Sequence, residues 1–412
     1  MTLISNVPGA ALPNLADPMT FVPGVPHEAF AVMRATPGLY WQPTSVGTVN
    51  GGFWAVTRFA DILEIEKDPA TFTSTRGPAY PSMNQPQENN PSLDMLMLTD
   101  PPRHSYLRRA AAKGFGPRIV ANFEPWVREI VADTLDGLDG KDEFDWVEEV
   151  AKVVPALVLA RVLGVSDEDS DQFVGWALGI FSALSDLKEG DDIVAVLGPI
   201  FMSIAEYAER IQAEKKANPA DDMFTELTMC VERGEISQNE FVQWMQVMMT
   251  AGFETTHTAI GQSMRMYLED PQVAERTDRA VDEGLSDRVA DEYIRLISPP
   301  MEMARTATRD VEVSGTAIRT DDVVVLYFVS ANRDSAIFSR PDEFDPWRSE
   351  KETLAFGSGV HRCIGAYLAK LEVRVVWEEI CRRRLDLRLN GEPQRGWSVF
   401  INQLSTLPVA RT

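Results

Sequence analysis

Apolar residues along this chain recur mostly three and four positions apart, and that rhythm dominates residues 103–297. The spacing predicts a long succession of amphipathic helices. Near the start the pattern differs: Tyr40, Trp41, Phe53, Trp54 and Val56 concentrate β-formers in two short strands, 38–44 and 51–58. Strands return at 311–313 and 323–329, before a last helix at 364–383 and a tail, 398–409, that alternates like a hairpin. Residues 73–91, rich in Pro, Ser, Asn and Gln, read as a long loop, of the kind that is functional or disordered in a compact domain. The sum is a mainly α chain with a minor β part. Residues 1–25 read as an N-terminal arm and 26–412 as a single domain, since no repeat or low-complexity linker divides them.

One helix start is explicit. Ser237 stands three residues before Glu240, the spacing of a capping box, and an apolar run follows from Phe241 to Leu268. That helix would be roughly thirty residues, or about 45 Å, long enough to cross a whole domain.

Composition narrows the partners. A chain of 412 residues, 44% hydrophobic, can bury a core around a large cofactor. A formal net charge of −23 disfavours nucleic acid and anionic membrane surfaces. Residues 1–21 carry no Lys or Arg and are broken by prolines, so neither a signal peptide nor a membrane anchor is expected, and a cytoplasmic location is the default. Cys230, Cys363 and Cys381 are odd in number and far apart, which fits a reducing compartment better than a disulfide framework.

The strongest chemical signal is Phe356-Gly357-Ser358-Gly359-Val360-His361-Arg362-Cys363-Ile364-Gly365. Three glycines bracket one cysteine just before an apolar-periodic helix. Glycine permits positive φ and close backbone approach, expected here to a flat, bulky group. Orphan N–H groups at a helix N-terminus favour an anion, so the cysteine is expected to lean toward thiolate, the form a soft metal centre takes. An isolated cysteine would more often be a buried structural residue. A dinucleotide fingerprint fails, because Arg362 holds the place of its third glycine.

This segment resembles the haem-binding loop of the cytochrome P450 family, Phe-x-x-Gly-x-(His/Arg)-x-Cys-x-Gly, with every position met. The resemblance implies a triangular helical prism around a buried haem b, with Cys363 as the iron ligand, a thiolate that favours O–O cleavage. It further implies that Phe356 packs near the sulfur, that Gly365 helps bind the haem and that His361 reaches a haem propionate. His104 and Arg108, four apart on one helix face, and Arg305, ten residues beyond Arg295, match other propionate contacts, and Arg suits carboxylates. Taken alone, His104 would more often serve structure or face solvent. Glu292-x-x-Arg295 and Phe344-Asp345-Pro346-Trp347-Arg348 match the family's paired motifs, implying a structural Glu292–Arg295–Arg348 network.

Inside the long helix lies Ala251-Gly252-Phe253-Glu254-Thr255-Thr256. A mid-helix glycine costs about 1 kcal/mol against alanine, and threonine hydroxyls can bond back and bend a helix. Ala251-Gly252 alone would read more simply as a notch for helix packing. The acid–alcohol pair, however, resembles the family's (Ala/Gly)-Gly-x-(Asp/Glu)-Thr pattern. It implies Ala251 and Gly252 against the haem, with Glu254 and Thr255 relaying protons to dioxygen.

By the same resemblance Val247, Thr250, Ala251, Met301, Phe400 and Ile401 contact the substrate, under a roof from 74–97 and from 173–187, with Trp176, Ile180 and Phe181. These are mainly apolar, so a hydrophobic substrate is expected. The tail 400–409 and the segment 330–334 resemble those of bacterial family members acting on terpenes, steroids or branched lipids, which implies a substrate of that class. No flavin, ferredoxin or reductase module is expected in this chain. Electrons from NAD(P)H would then arrive through a ferredoxin reductase and an acidic ferredoxin, docked by Arg109, Lys113, Arg118, Arg362, Lys370 and Arg374. A monomer is expected. Two other readings stay open: a hydrogen-peroxide-driven peroxygenase, which the acid–alcohol pair disfavours, and a haem ligand-binding or sensor protein. His257 has no place in the pattern.

Overall fold

The computed structural model describes residues 12–81, 95–186, 193–220 and 222–412. Helices fill the middle of the chain, from Arg103–Ala112 through Pro117–Asp136, Val153–Leu163 and Asp167–Asp186 to Pro271–Asp282 and Ser286–Ile297. Their apolar stripes meet in one large core. Ser286–Ile297, for example, buries Val289, Tyr293, Ile294, Leu296 and Ile297, and packs on the late helix Ala366–Arg383. The short strand Glu143–Asp145 interrupts the helical region.

The β part is a five-stranded sheet in the order Tyr40–Pro43, Gly52–Val56, Val323–Leu326, Met303–Ala307, Phe72–Thr73. Val323–Leu326 is central and wholly buried, which is why it reads as an unbroken Val-Val-Val-Leu run rather than an alternation. It lies parallel to Gly52–Val56, while the other pairings are antiparallel.

Three expectations change in detail. The strand expected over 323–329 ends at Leu326, and Phe328–Ala331 turns into a short helix as Tyr327 N–H donates to Val56 O at 2.9 Å. The tail does not close on itself. Leu404–Thr406 pairs with Gln394–Arg395, and Pro408–Arg411 lies between Glu143–Asp145 and Leu387–Leu389. Asp145 draws it there by accepting from Leu407 N–H, while Trp146 N–H donates to Leu407 O at 2.9 Å. Residues 12–25 lie against the sheet: Leu12, Leu15 and Phe21 are buried in a cluster with Phe30, Val325 and Tyr327.

The long helix forms with its predicted start. Ser237 and Glu240 exchange both capping-box bonds, at 2.6 and 3.1 Å, and Glu240 also accepts from Arg103 Nε at 2.6 Å. It is not uniformly α. Gln238–Val247 and Phe253–Glu269 are joined by one π turn, Met248–Gly252.

Behind the cysteine loop sits a buried ion network. Glu292 Oε1 accepts from Arg295 Nη2 and Arg348 Nε at 2.8 Å each and from Asp345 N–H at 2.9 Å, while Oε2 accepts from Arg295 Nε at 2.8 Å. Arg295 Nη1 donates onward to Asn332 O at 2.6 Å, and Asn332 Oδ1 accepts from Leu354 N–H at 2.7 Å, two residues before the loop. The network therefore ties the Ser286–Ile297 helix to the chain entering the cysteine loop.

Candidate functional site

A cavity of about 1490 Å³ is bounded by the cysteine loop, the π-turn helix and the turn between Gln394–Arg395 and Leu404–Thr406. Cys363, Phe356, Ile364 and Gly365 line one wall, and Val247, Thr250, Ala251, Gly252, Glu254 and Thr255 another. His104, Arg108, Arg305 and His361 also line it, as do Phe400 and Ile401. The helix, the loop, the sheet and the tail thus bring together residues separated by up to three hundred positions.

The cysteine loop closes on itself through Cys363 N–H, which donates to Phe356 O at 2.8 Å. Gly357 and Gly359 both adopt φ of +61°. At Gly359 the missing Cβ makes room for the C-terminal end of the helix Phe59–Glu66, since a Cβ there would lie 2.2 Å from the Glu66 carbonyl oxygen, while Gly357 lines the cavity. The Cys363 sulfur is accessible from the cavity, yet burial pushes its thiol up, against the expectation from the helix N-terminus alone. The Gly365 N–H and the charges of Arg108 and Arg362 oppose that rise without overcoming it.

At another edge of the cavity the imidazoles of His104 and His361 lie 4.3 Å apart. Burial pushes His104 down to about 4, helped by the His361 and Arg108 charges, and burial also lowers His361. His104 Nε2 is buried without a partner. Arg305, buried, donates to Ala304 O at 2.7 Å and finds its nearest carboxylate, Glu66, only at 3.8 Å. Burial in turn pushes Glu66 up to about 7, and its Oε2 is unanswered. Arg108 has no ion pair among the described residues. Unspent donors thus converge on one end of the cavity, where a group carrying two carboxylates would satisfy them. A soft sulfur ligand, this cationic edge and apolar walls are the donor set a haem requires.

The π turn carries the opposite face. Thr255 Oγ1 donates to Ala251 O at 2.8 Å and Thr256 Oγ1 to Gly252 O at 3.2 Å. Extra width enters the helix here, as π turns commonly provide at functional sites. Helix packing does not demand glycine at 252, since a Cβ there would meet Leu159 at an ordinary 3.6 Å. Burial alone pushes the Glu254 carboxyl up to about 7. His257, one turn on, is buried beside Phe253 at 5.3 Å and is held down to about 3.

Some expected contacts move. Met301 does not line the cavity. Its N–H donates to Phe400 O and its carbonyl accepts from Val329 N–H, and its side chain packs in the sheet cluster with Tyr327 and Val323. Pro300 and Met303 reach the cavity in its place. In the helix Asp167–Asp186, Phe173 and Ile180 are buried in the main core and Trp176 packs on Tyr207 at 5.3 Å, so none of them roofs the cavity. The Phe181 side chain and residues 82–94 and 187 lie outside the described part, while Pro78, Pro81, Leu96 and Met97 do line it. In the basic set, Lys370 pairs with Asp291 at 2.6 Å and Arg374 with Glu124, Asp287 and Glu378, leaving Arg109, Arg118 and Arg362 exposed. The Lys113 side chain is outside the described part. Glu66 and Glu372 also line the cavity without any motif to mark them, because a lone carboxylate in a helix or loop carries no spacing signal. Among the described residues, no helix is long and apolar enough to cross a membrane.

A cavity walled by a cysteine loop on one side and a π-widened acid–alcohol helix on another defines a haem-thiolate oxygenase class of site. The cytochrome P450 family model matches residues 69–383, and the chain belongs to that family, whose cofactor is haem. It is 30% identical over 412 residues to linalool 8-monooxygenase of Pseudomonas putida, covering 96% of this chain and 98% of that protein. It is 30% identical to steroid C26-monooxygenase of Mycobacterium bovis, over 97% and 93%. A Mycobacterium marinum cytochrome P450 in complex with pseudoionone superposes with a TM-score of 0.84 at 27% identity, covering 93% of this chain and 94% of that one. The protein is thus a cytochrome P450 monooxygenase, an oxidoreductase.

Proposed function

We propose that this enzyme inserts one oxygen atom of O₂ into a C–H bond of a terpenoid, steroid or branched lipid. Two electrons and two protons reduce the other atom to water. The observation that carries the reading is that Cys363, the Glu254–Thr255 pair and a cationic edge all line one apolar cavity. Cys363 would hold the haem iron, with Phe356 and Gly365 beside the sulfur. His104, Arg108, Arg305 and His361 would receive its propionates, and Ala251 and Gly252 would lie against its other face. When bound, the haem supplies dioxygen activation.

The chain's own groups manage the rest. Thr255 offers a hydroxyl at the cavity wall, and Glu254, whose carboxyl desolvation raises to about 7, can both take and give a proton at working pH. Val247, Thr250, Ala251, Phe400 and Ile401, joined by Pro300 and Met303, would hold the substrate by apolar contact. Glu292, Arg295 and Arg348 would position the cysteine loop without touching the reactants. The relatives acting on linalool and on a steroid support this substrate class. Electrons would come from NAD(P)H through a reductase and a small acidic ferredoxin that docks on Arg109, Arg118 and Arg362, steered by charge.

Reconstitution of the haem-loaded enzyme with ferredoxin, reductase and NADH tests this reading, alongside a spectral screen of terpenes, steroids and branched fatty acids. Hydroxylated product and ligand-induced spectral shifts are the expected results. Product formed with hydrogen peroxide alone, and none with the electron-transfer chain, would replace the reading. For docking, Arg362→Glu with Arg109→Glu should slow reduction in a salt-dependent way, and unchanged kinetics would remove the proposed face.

A further inference from the structure

Three aromatic side chains with no part in the proposed chemistry form one continuous series of ring contacts, from the helices that carry the cavity-lining Ile294 and Glu372 toward the surface. Trp377 and Tyr293 are fully buried and stacked, with centroids 4.9 Å apart and planes inclined by 19°. Tyr267 also packs on Trp377, at 5.0 Å. At the inner end, Ile294 and Glu372 line the cavity. Tyr293 is the sequence neighbour of the first, and Trp377 lies five helical residues, about 7.5 Å of rise, beyond the second. At the outer end the Tyr267 hydroxyl donates to the Asp278 carboxylate, 3.1 and 3.2 Å from its two oxygens. The Cys381 thiol meets the same Oδ1 at 3.5 Å. Asp278 is exposed and Cys381 half-buried.

Ordinary core packing accounts for Trp377 and Tyr293, which bring large apolar area. It does not require a phenol and a thiol to share one surface carboxylate at the end of the stack. Trp, Tyr and Cys are the side chains most readily oxidised by one electron. A phenol loses its proton as it loses the electron, so an acceptor already bonded to the hydroxyl makes that oxidation easier.

We infer that Trp377, Tyr267 and Cys381, with Asp278 as proton acceptor, discharge oxidising equivalents that the haem site generates when no substrate consumes them. The inference rests on the monooxygenase reading above. In one such event Tyr267 gives an electron inward through Trp377 and its phenolic proton to Asp278. Cys381 then gives a hydrogen atom to the tyrosyl oxygen, which restores the phenol. A second event, with one water, takes the sulfur to sulfenic acid. The balance is thiol plus water to sulfenic acid, two protons and two electrons, both electrons passing inward to the oxidised centre. A small-molecule thiol can then reduce the sulfenic acid through a mixed disulfide.

The test uses haem-loaded, substrate-free enzyme exposed to hydrogen peroxide, with sulfenic acid trapped by dimedone and located by peptide mass spectrometry. Cys381 should be labelled, whereas Cys230, buried and bonded by Arg233 at 3.2 Å, should not. Labelling of Cys381 should fall to the haem-free level in Tyr267→Phe and in Trp377→Phe. A freeze-quenched tyrosyl signal in electron paramagnetic resonance should vanish in Tyr267→Phe and persist longer in Cys381→Ser. If Trp377→Phe does not fold, Tyr267→Phe, at the outer end, decides the matter. Equal labelling of haem-free protein, or undiminished labelling in Tyr267→Phe, would overturn the inference. Failure of the haem reading itself would appear separately, as a missing carbon monoxide band before any peroxide is added.

Discussion

Two carboxylates, the buried Glu292 and the half-buried Glu254, show how the same side chain serves opposite ends in one molecule. Glu292 is met by two guanidinium groups and a backbone N–H, so its charge is fully answered. Glu254 has no ion pair among the described residues, and burial alone governs its proton. A satisfied carboxylate rigidifies, because removing any partner strands a charge. An unsatisfied one near neutrality is a poor strut and a good proton carrier. The first sits behind the cysteine loop and the second at the cavity wall, which is the division expected between scaffold and chemistry.

The comparison can be broken at several points. Cys363→Ser is the largest: the thiolate-type carbon monoxide band of the haem-loaded protein should disappear completely, and its survival would undo the site. Glu292→Ala should cost about 3–5 kcal/mol, as loss of one partner from a buried ion network does. Urea unfolding measures it, and a cost near zero would mean that Arg295 and Arg348 are held by their carbonyl partners alone. Glu254→Gln should leave the fold intact but slow turnover on the order of 10²-fold, the usual worth of a positioned acid–base group.

Acidity sharpens the same contrast. Glu254 is raised from 4.5 to about 7, so the folded chain retains a proton that the unfolded chain has lost. Stability therefore falls as pH rises between these values and levels off above them. Glu254→Gln should lack this loss and gain on the wild type across that window, which melting curves at pH 4.5 and pH 8 would register. The smallest effect is expected at Ser237→Ala, where loss of the capping bond should cost about 1 kcal/mol without altering the cavity.

Much of this molecule could be read from local pattern. The cysteine loop, the capping box at Ser237 and Glu240, the Glu254–Thr255 pair and the Glu-x-x-Arg motif are short-range arrangements, so their spacing alone marks them, and the capping box and the Glu292 network form the bonds expected of them. Helix periodicity and β-branched runs found most elements, because burial of one face imposes its period on the chain. What the chain order could not convey was which neighbour each group would meet. The clearance around Gly359 turned out to serve the Glu66 backbone, and Met301 went to the sheet because its backbone bonds to Phe400 and Val329 fix its direction. The π turn at Met248–Gly252, the lone Glu66 carboxyl beside Arg305 and the stack from Tyr293 to Cys381 likewise depend on contacts between distant segments. Local rules act over one or two turns of chain, whereas desolvation and pairing depend on whatever the whole fold brings within a few ångströms.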